Sequence, residues 1–312
     1  VDVLSEALSS MRTGRATSVR TEGRAPWGLR LPPVSGAGFH VVLQGTCWLV
    51  PLEGTPGAGA PVPLGPGDVV FLRAGQGHIL ADQPGSPLSP VSANPVPPDS
   101  PIGSVTLGGD GALSRLLCGA YQLDQHRPHP LLSHLPAVVH LPARPGRHPE
   151  LSAAVQLLSS ELENPRTGSS GIVPLLVEAL LLYVLRAWLD EQDTTTGRGW
   201  AAALSDPAIA GALTAIHADP AAAWTVAGLA GRVGLSRAGF ARRFTAQVGE
   251  PPLAYLTRWR MTTAARLLRE GDTPLSTVAA RTGYGSEYAL GKAFKREYGL
   301  APGSYRLRSK AA

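Results

Sequence analysis

A unit of about fifty residues is written twice in the last third of the chain. Ser236, Phe240, Phe244, Gly249, Pro252 and Tyr255 return fifty positions later as Ser286, Leu290, Phe294, Gly299, Pro302 and Tyr305, and five of the six pairs are identical. Upstream, one residue out of step, Ala230 and Gly234 recur as Ala279 and Gly283. The repeated types are those that shape short helices. A four-residue spacing puts Phe240 and Phe244 on one helix face. A serine ahead of them serves as N-cap, and Gly234 suits the left-handed backbone of a tight turn. The pattern predicts a helix-turn-helix, used twice, and two such units in series can read two stretches of DNA.

Charge agrees with that placement. The 312-residue chain carries a net charge of +5. Residues 201–312 hold 15 Lys and Arg against 7 Asp and Glu (+8), while residues 1–200 hold 13 against 16 (−3). A basic segment on an otherwise acidic chain marks a polyanion-binding module. A preference for Arg explains which cation is used, but not the separation. The length allows two ordinary domains, and an apolar fraction of 44% excludes a disordered chain. Two cysteines make no disulfide scaffold, so a reducing, cytoplasmic setting is expected. No leader is expected. The greasiest stretch, 172–189, carries Pro174, Glu178 and Arg186 and reads as a buried helix, so no membrane is expected.

Ahead of the repeat, Val3, Leu4, Leu8 and Met11 predict a short helix, followed by an extended arm holding Trp27. Short apolar runs at 39–43, 47–52 and 69–72 alternate with Gly- and Pro-rich turns, as in a β-sandwich or barrel. Residues 83–101 contain seven prolines and read as a long exposed loop; strands follow at 105–107 and 116–123. From Pro149 the periodicity turns helical, with Leu151, Val155, Leu158 and Leu162 on one face. A second helix starts at Ser169–Ser170, expected N-caps, and ends near Gln192. Its wide apolar surface fits either a core helix or one shared with a partner subunit. Residues 193–199 read as a linker. The expected fold class is α+β: a cupin-like domain over 1–145, a helical dimerisation or linker region over 146–199, and an all-α double helix-turn-helix over 200–312.

In the first unit, residues 224–233 supply the leading helix and Ser236 caps the second. With Phe240 and Phe244 buried, Arg237, Ala238, Ala241 and Arg242 face outward, and Arg243 joins them as a candidate contact. In the second unit, 275–282 leads, 283–285 turns, and Ser286 caps. Leu290 and Phe294 are then buried, while Glu287, Tyr288 and Lys292 are exposed, with Lys295 and Arg296 further along. Arg and Lys suit guanine O6 and N7, and Glu accepts from cytosine N4; marginal cations suit phosphates. Between the units, 253–269 predicts one long helix, a rigid spacer able to hold two recognition helices about 34 Å apart on one duplex face.

Residues 206–309 resemble the C-terminal domain of the AraC/XylS family of transcription regulators. The resemblance rests on LAGRVGLSRAGFARRF, PLAYLTRWRMTTAARLL, STVAARTGYGSEYALGKAFKREYG and APGSYR, in that order. It implies base-reading positions at Ala238, Ala241 and Arg242, and at Glu287, Tyr288 and Lys292. Ala238 and Ala241 offer no hydrogen bonds, so the first unit is expected to read thymine methyls or shape, with Arg242 carrying most direct readout. Partners implied are double-stranded DNA, a second copy of the chain, and RNA polymerase where the protein activates.

Residues 67–82 resemble the second cupin motif. Gly67, Gly75 and His78 match, Arg73 replaces Pro, and Asp82 replaces Asn. In the first motif Gly45 serves as the closing glycine, but Gly38 stands where the metal-binding Glu belongs and the paired histidines are absent. Together with FHVVLQGTCWL, LLCGAYQLD and HPLLSHLP, this looks like the cupin-sensor subfamily of these regulators. Three uses of its polar residues stay open. Cys47 and Cys118 form a redox pair; or, with His40 and His78, a zinc site; or all four are inert or line an organic-ligand pocket. His126, His129 and His134 form a second His cluster. No nucleophile elbow, Walker loop, dinucleotide motif or HExxH occurs. The expectation is a regulator whose cupin-like domain senses a small molecule or oxidant, and not an enzyme; the alternative is a metal-dependent cupin enzyme fused to a DNA-binding domain.

Overall fold

In a computed structural model, residues 2–34, 36–52, 59–89, 92–94, 102–124, 129–195 and 197–311 are described. Contacts divide the chain into two units that are not continuous in sequence. One comprises Val1–Thr13, His126–His134 and Gln192–Ala312; the other comprises Gly14–Gln125 and Leu135–Glu191. This differs from boundaries at 145 and 199, because two short N-terminal segments bury their apolar faces among the C-terminal helices.

Among the described residues, the strand-rich unit holds eleven strands: β1 (Thr17–Arg24), β2 (Gly28–Leu31), β3 (Ala37–Gln44), β4 (Cys47–Pro51), β5 (Val62–Leu64), β6 (Val69–Leu72), β7 (His78–Ala81), β8 (Ser92–Asn94), β9 (Gly103–Gly108), β10 (Leu113–Tyr121) and β11 (Val138–Leu141). Seven form a sheet in the order β11-β6-β3-β10-β1-β9-β8, and four form a second, β2-β7-β4-β5. The arm expected around Trp27 is therefore strand: β1 pairs with β10 and in parallel with β9, and β2 pairs with β7. Of the 83–101 stretch, 90–91 and 95–101 lie outside the described residues; β8 falls within what was expected to be loop, where it pairs with β9.

The two sheets share one core. Leu29, Leu49, Leu64 and Leu80 from the smaller sheet meet Val42, Val70, Leu72, Leu107 and Leu116 from the larger. Two helices belong to this unit, Pro149–Glu163 (α3) and Ser169–Asp190 (α4), and they pack on each other, on β3 and on β11. Hydrogen bonds tie them to the larger sheet and to the residue ahead of β1. Arg20 donates to the Leu162 carbonyl (2.8 Å), Tyr121 to the Val177 carbonyl (2.8 Å), and the Ala16 amide to Glu178 (3.2 Å). The N-cap of α4 is Gly168, not Ser169 or Ser170, and it makes no side-chain cap bond. Ser169 instead donates to buried Glu161 (2.5 Å), which joins the two helices. α4 is long and apolar enough to cross a bilayer, with mean hydropathy 2.0 over its best window.

The helical unit opens with α1 (Val3–Met11), capped by Asp2, and includes α2 (Pro130–His134), α5 (Gly199–Ser205) and α6 (Pro207–Ala218). The repeat supplies α7 (Val226–Arg232), α8 (Arg237–Val248), α9 (Pro252–Glu270), α10 (Leu275–Arg281), α11 (Glu287–Tyr298) and α12 (Pro302–Ala311). Ser236 and Ser286 cap α8 and α11, accepting from the Gly239 amide (3.2 Å) and the Ala289 amide (3.1 Å). Gly234 and Gly283 turn with φ of 71° and 73°, a region costly for side-chain-bearing residues.

α9 contacts α8, α10, α11 and α12. Its nineteen residues span about 28 Å. All four of its arginines are committed within the unit. Arg258 forms a two-pronged pair with Glu250 (2.9 and 3.1 Å). Arg260 donates to the carbonyls of Pro220 and Ala222 (2.7 and 2.9 Å), holding the chain ahead of α7. Arg269 donates to Tyr305 (2.7 Å) and to the carbonyls of Ser10 and Arg12 (3.0 Å each), and Arg266 pairs with Glu6 at 3.9 Å. These last contacts hold α1, whose Ala7, Leu8 and Met11 are buried.

Phe294 is fully buried, stacked on Tyr298 (4.5 Å) and edge-on to Tyr305 (5.2 Å), among Met261, Leu268 and Leu290. Phe294→Ala is expected to cost about 3–5 kcal/mol by opening a cavity. Tyr288→Ala, on an 82% exposed side chain, should stay within about 0.5 kcal/mol. Chemical denaturation of both variants checks the contrast.

Candidate nucleic-acid interface and barrel interior

Each recognition helix has one face held in the core and the other turned outward. On α8, Phe240, Phe244 and Val248 are buried. Arg237, Ala238, Arg242 and Arg243 are exposed and Ala241 is half-buried. On α11, Leu290, Ala293 and Phe294 are buried, while Ser286, Glu287, Tyr288, Lys292, Lys295 and Arg296 are exposed. Arg242 and Lys292 make no ion pair among the described residues.

Two of the candidate cations are engaged. Arg296 lies 3.5 Å from Glu297. Arg243 pairs with Asp206, whose carboxylate also caps α6 by accepting from the Ala208 amide (3.0 Å) and accepts from Gln247 (3.0 Å). Arg243 therefore links α8 to the start of α6. Sequence periodicity alone could not separate it from Arg242, because Asp206 lies more than thirty residues upstream.

Of the second His cluster, His129 and His134 each have separate hydrogen-bond partners. His126 lies outside the described residues. His134 binds the Pro130 carbonyl through Nδ1 (2.7 Å). His129 is buried beside Trp200 and Trp259 and joins a relay absent from the sequence reading. The Leu131 amide donates to His129 Nδ1 (3.2 Å), so that nitrogen is bare and Nε2 carries the hydrogen. Nε2 donates to the Tyr255 oxygen (3.2 Å), and the Tyr255 hydroxyl donates to His217 Nε2 (2.6 Å). His217 stacks on Trp259 at 3.6 Å. The relay joins the residue just ahead of α2 to α6 and α9, and burial holds both histidines neutral. It pushes His217 down to about 3 and His129 well below its usual range, with the nearby His217 and Arg258 adding to the shift of His129.

Between the sheets, the structure brings together residues far apart in sequence. His40 on β3 lies opposite Cys118 on β10 in the strand register, and its Nε2 is 2.7 Å from Nε2 of His78 on β7. His78 Nδ1 donates to the Gln76 carbonyl (2.8 Å). Burial lowers the pKa of both rings, that of His40 further because of His78. A cavity of about 230 Å³ lies against His40, His78, Cys118 and Gly38. Asp82, at the last position of the second cupin motif, accepts from the Trp27 amide (2.8 Å) and so pins β2.

Neither a zinc nor a cupin-type metal set fits these residues. Two imidazoles converge, but among the described residues no group of three His, Cys, Asp or Glu side chains is placed to hold a metal ion. The thiols suit a redox pair poorly as well. Both are buried and free, and burial pushes each up to about 12; for Cys47 the neighbouring Cys118 and Asp68 add to the shift, while a hydrogen bond from Thr21 opposes it at Cys118. A thiol held protonated is a weak nucleophile toward oxidants.

Known proteins fall in line with both halves. A cupin family model matches residues 2–190 and a helix-turn-helix domain model matches 229–308. A protein of Streptomyces lividans named as an AraC-like transcription regulator is 36% identical over 98% of both chains. The chain belongs to the AraC family of transcription regulators. A Streptomyces antibioticus member carrying the same description is 35% identical over 98% of both chains. The HTH-type transcriptional regulator MtrA of Neisseria gonorrhoeae is 29% identical over the same share. This AraC-family chain is thus a DNA-binding transcription regulator, with a strand-rich cupin half and a helical reading half.

The relay in the helical half has a pH signature. Its histidines bind protons more weakly folded than unfolded, so the unfolded chain takes up more protons between about pH 6.5 and 3. Stability is flat above that window and falls with acidification, at up to about 1.4 kcal/mol per pH unit for each such site. His217→Gln is expected to flatten the loss between pH 6.5 and 5 relative to the parent, read from denaturation midpoints at each pH.

Proposed function

We propose that α8 and α11 enter successive stretches of major groove on one face of a DNA duplex and recognise a specific operator. The observation that carries this reading is the pair of capped helices whose phenylalanine-bearing faces are buried and whose cation-bearing faces are open. Arg242 and Lys292 are the direct readers, with Glu287 and Tyr288 beside Lys292. Ala238 and Ala241 meet thymine methyls or respond to groove shape. Arg237, Lys295 and Arg296 neutralise phosphates, which position the protein without reading sequence. Arg243 acts through Asp206 and fixes the tilt of α8. RNA polymerase is the further partner where the bound protein activates.

Lys292→Ala should weaken operator binding by about 1–3 kcal/mol and relax preference at one base pair. Gel shifts across single-base operator variants check it. A uniform loss at every variant would assign Lys292 to phosphate instead.

The cupin half is the sensor, and its effector is a small organic molecule rather than an oxidant. The cavity of about 230 Å³ beside His40, His78 and Cys118 supports this, and the buried, protonated thiols argue against thiol chemistry. Effector binding shifts the population of DNA-competent protein. The regulator works in the cytoplasm as a homodimer. Leu157 on α3 and Leu175 on α4 are 55% and 71% exposed, an apolar surface suited to a second copy. Leu175→Glu is expected to yield monomers at concentrations where the parent is dimeric, measured by light scattering; an unchanged mass places the dimer contact elsewhere.

A further inference from the structure

The two turns of the repeat share a backbone but not a setting. Gly234 and Gly283 both stand in the left-handed region, at φ of 71° and 73°. A Cβ placed on Gly234 would meet no described atom within 4 Å. On Gly283 it would lie 2.7 Å from Arg260 Nη2 and 2.9 Å from the Ala221 carbonyl oxygen, both closer than a carbon tolerates. The turn of the second helix-turn-helix is therefore pressed against the chain that leads into the first, with one guanidinium in the contact.

That leading chain is built to receive it. Asp219 accepts from the Ala221 and Ala222 amides (3.1 Å each), and Trp224 Nε1 donates to the Asp219 carbonyl (2.8 Å). The bend leaves the Pro220 and Ala222 carbonyls to Arg260, which donates to them from Nε and Nη2 (2.7 and 2.9 Å). Arg260 is half-buried in the middle of α9. Asp219, ahead of the first helix-turn-helix, and Tyr284, in the turn of the second, both act on its charge.

Elsewhere α9 holds the two motifs by different residues. Tyr255, near its start, packs edge-on against Phe244 of α8 (5.8 Å). Met261, Ala264, Ala265 and Leu268 pack with Leu290 and Phe294 of α11. At Arg260 the two motifs meet directly. Two readers in a fixed relation engage DNA together only where the spacing of their sites matches.

Resting on the insertion of α8 and α11 into one duplex, we propose that Arg260 is the positioning residue that locks the two recognition helices at one separation and angle. The spacing between the two contacted stretches of DNA then becomes a determinant of specificity, alongside their bases. Arg260 acts through the carbonyls of 220–222 and the turn at Gly283, not through the DNA.

The test takes duplexes selected by the full-length parent from a random library and trimmed to one protomer's site. Hydroxyl-radical footprinting locates the two contacted stretches, and one or two base pairs are inserted or removed between them. Each pair shifts one stretch by about 3.4 Å and turns it by about 35°. The parent is expected to lose at least about ten-fold in affinity at the first step. Arg260→Gln should lose less than about three-fold over that step, bind the original duplex more weakly, and keep the parent's base preferences within each stretch. A loss of stability alone weakens every spacing together and leaves their ratios unchanged. Gly283→Ala and Gly234→Ala carry the same backbone strain, but only the first pushes on Arg260; it should flatten the spacing profile, and Gly234→Ala should not. Far-ultraviolet circular dichroism checks folding, and where Arg260→Gln does not fold the two glycine variants decide. A parent indifferent to spacing overturns the joint insertion and the proposal with it. A parental spacing preference kept intact in the folded Arg260 and Gly283 variants overturns the positioning role and leaves the joint insertion standing.

Discussion

The helical half depends on one constraint: large apolar side chains a single turn apart must leave water on the same side of a short helix. Phe240 and Phe244 do this for α8, and Leu290 and Phe294 for α11. A twelve-residue helix is marginal alone, so each is stable only while its apolar face is covered by α9 and its neighbours. Burying that face leaves the other side of the helix outward. The outward direction of Arg242 and Lys292 is thus a consequence of packing and needs no contact of their own. The serine caps and left-handed glycines set where each helix begins and how the chain enters it.

Basic charge in this half divides into two kinds. The arginines of α9 are internal fasteners: they tie down the chain before α7, the Glu250 turn, α12 and α1. Arg243 belongs with them through Asp206. The cations left open lie largely on α8 and α11. A surplus of +8 over 201–312 is therefore a composite, part structural and part available to a polyanion. The α9 arginines also explain why the first thirteen residues belong to the helical unit. Backbone carbonyls at the end of α1 accept from Arg269, and the apolar face of α1 completes the cover over α6 and α9.

The strand-rich half uses polarity differently. Its cavity wall contains two imidazoles in a low-dielectric space, where ionisation is penalised and hydrogen bonds are strong. A neutral pair joined by one shared hydrogen, anchored on one carbonyl, is the arrangement that satisfies three of the four ring nitrogens. The same dryness suppresses thiolate formation at Cys47 and Cys118. One environment thus disfavours both thiolate and imidazolium formation.

How much was legible in advance follows from the range of each interaction. The duplicated Ser, Phe, Gly, Pro and Tyr pattern specified both helix-turn-helix units to within a few residues, because caps, turns and helical faces are set by neighbours three or four positions apart. Strand positions around Phe39, Val69 and Leu116 were legible for the same local reason, and so was the cupin-like class. The arm at Trp27 was not seen as strand, since pairing of β1 with β9 and β10 is a long-range matter. Nor could local pattern separate Arg243 from Arg242, reveal the relay from His129 through Tyr255 to His217, or set His40 against His78. Each of these joins residues dozens of positions apart, and only the folded backbone decides which distant polar groups share a dry space and must answer one another's hydrogen bonds.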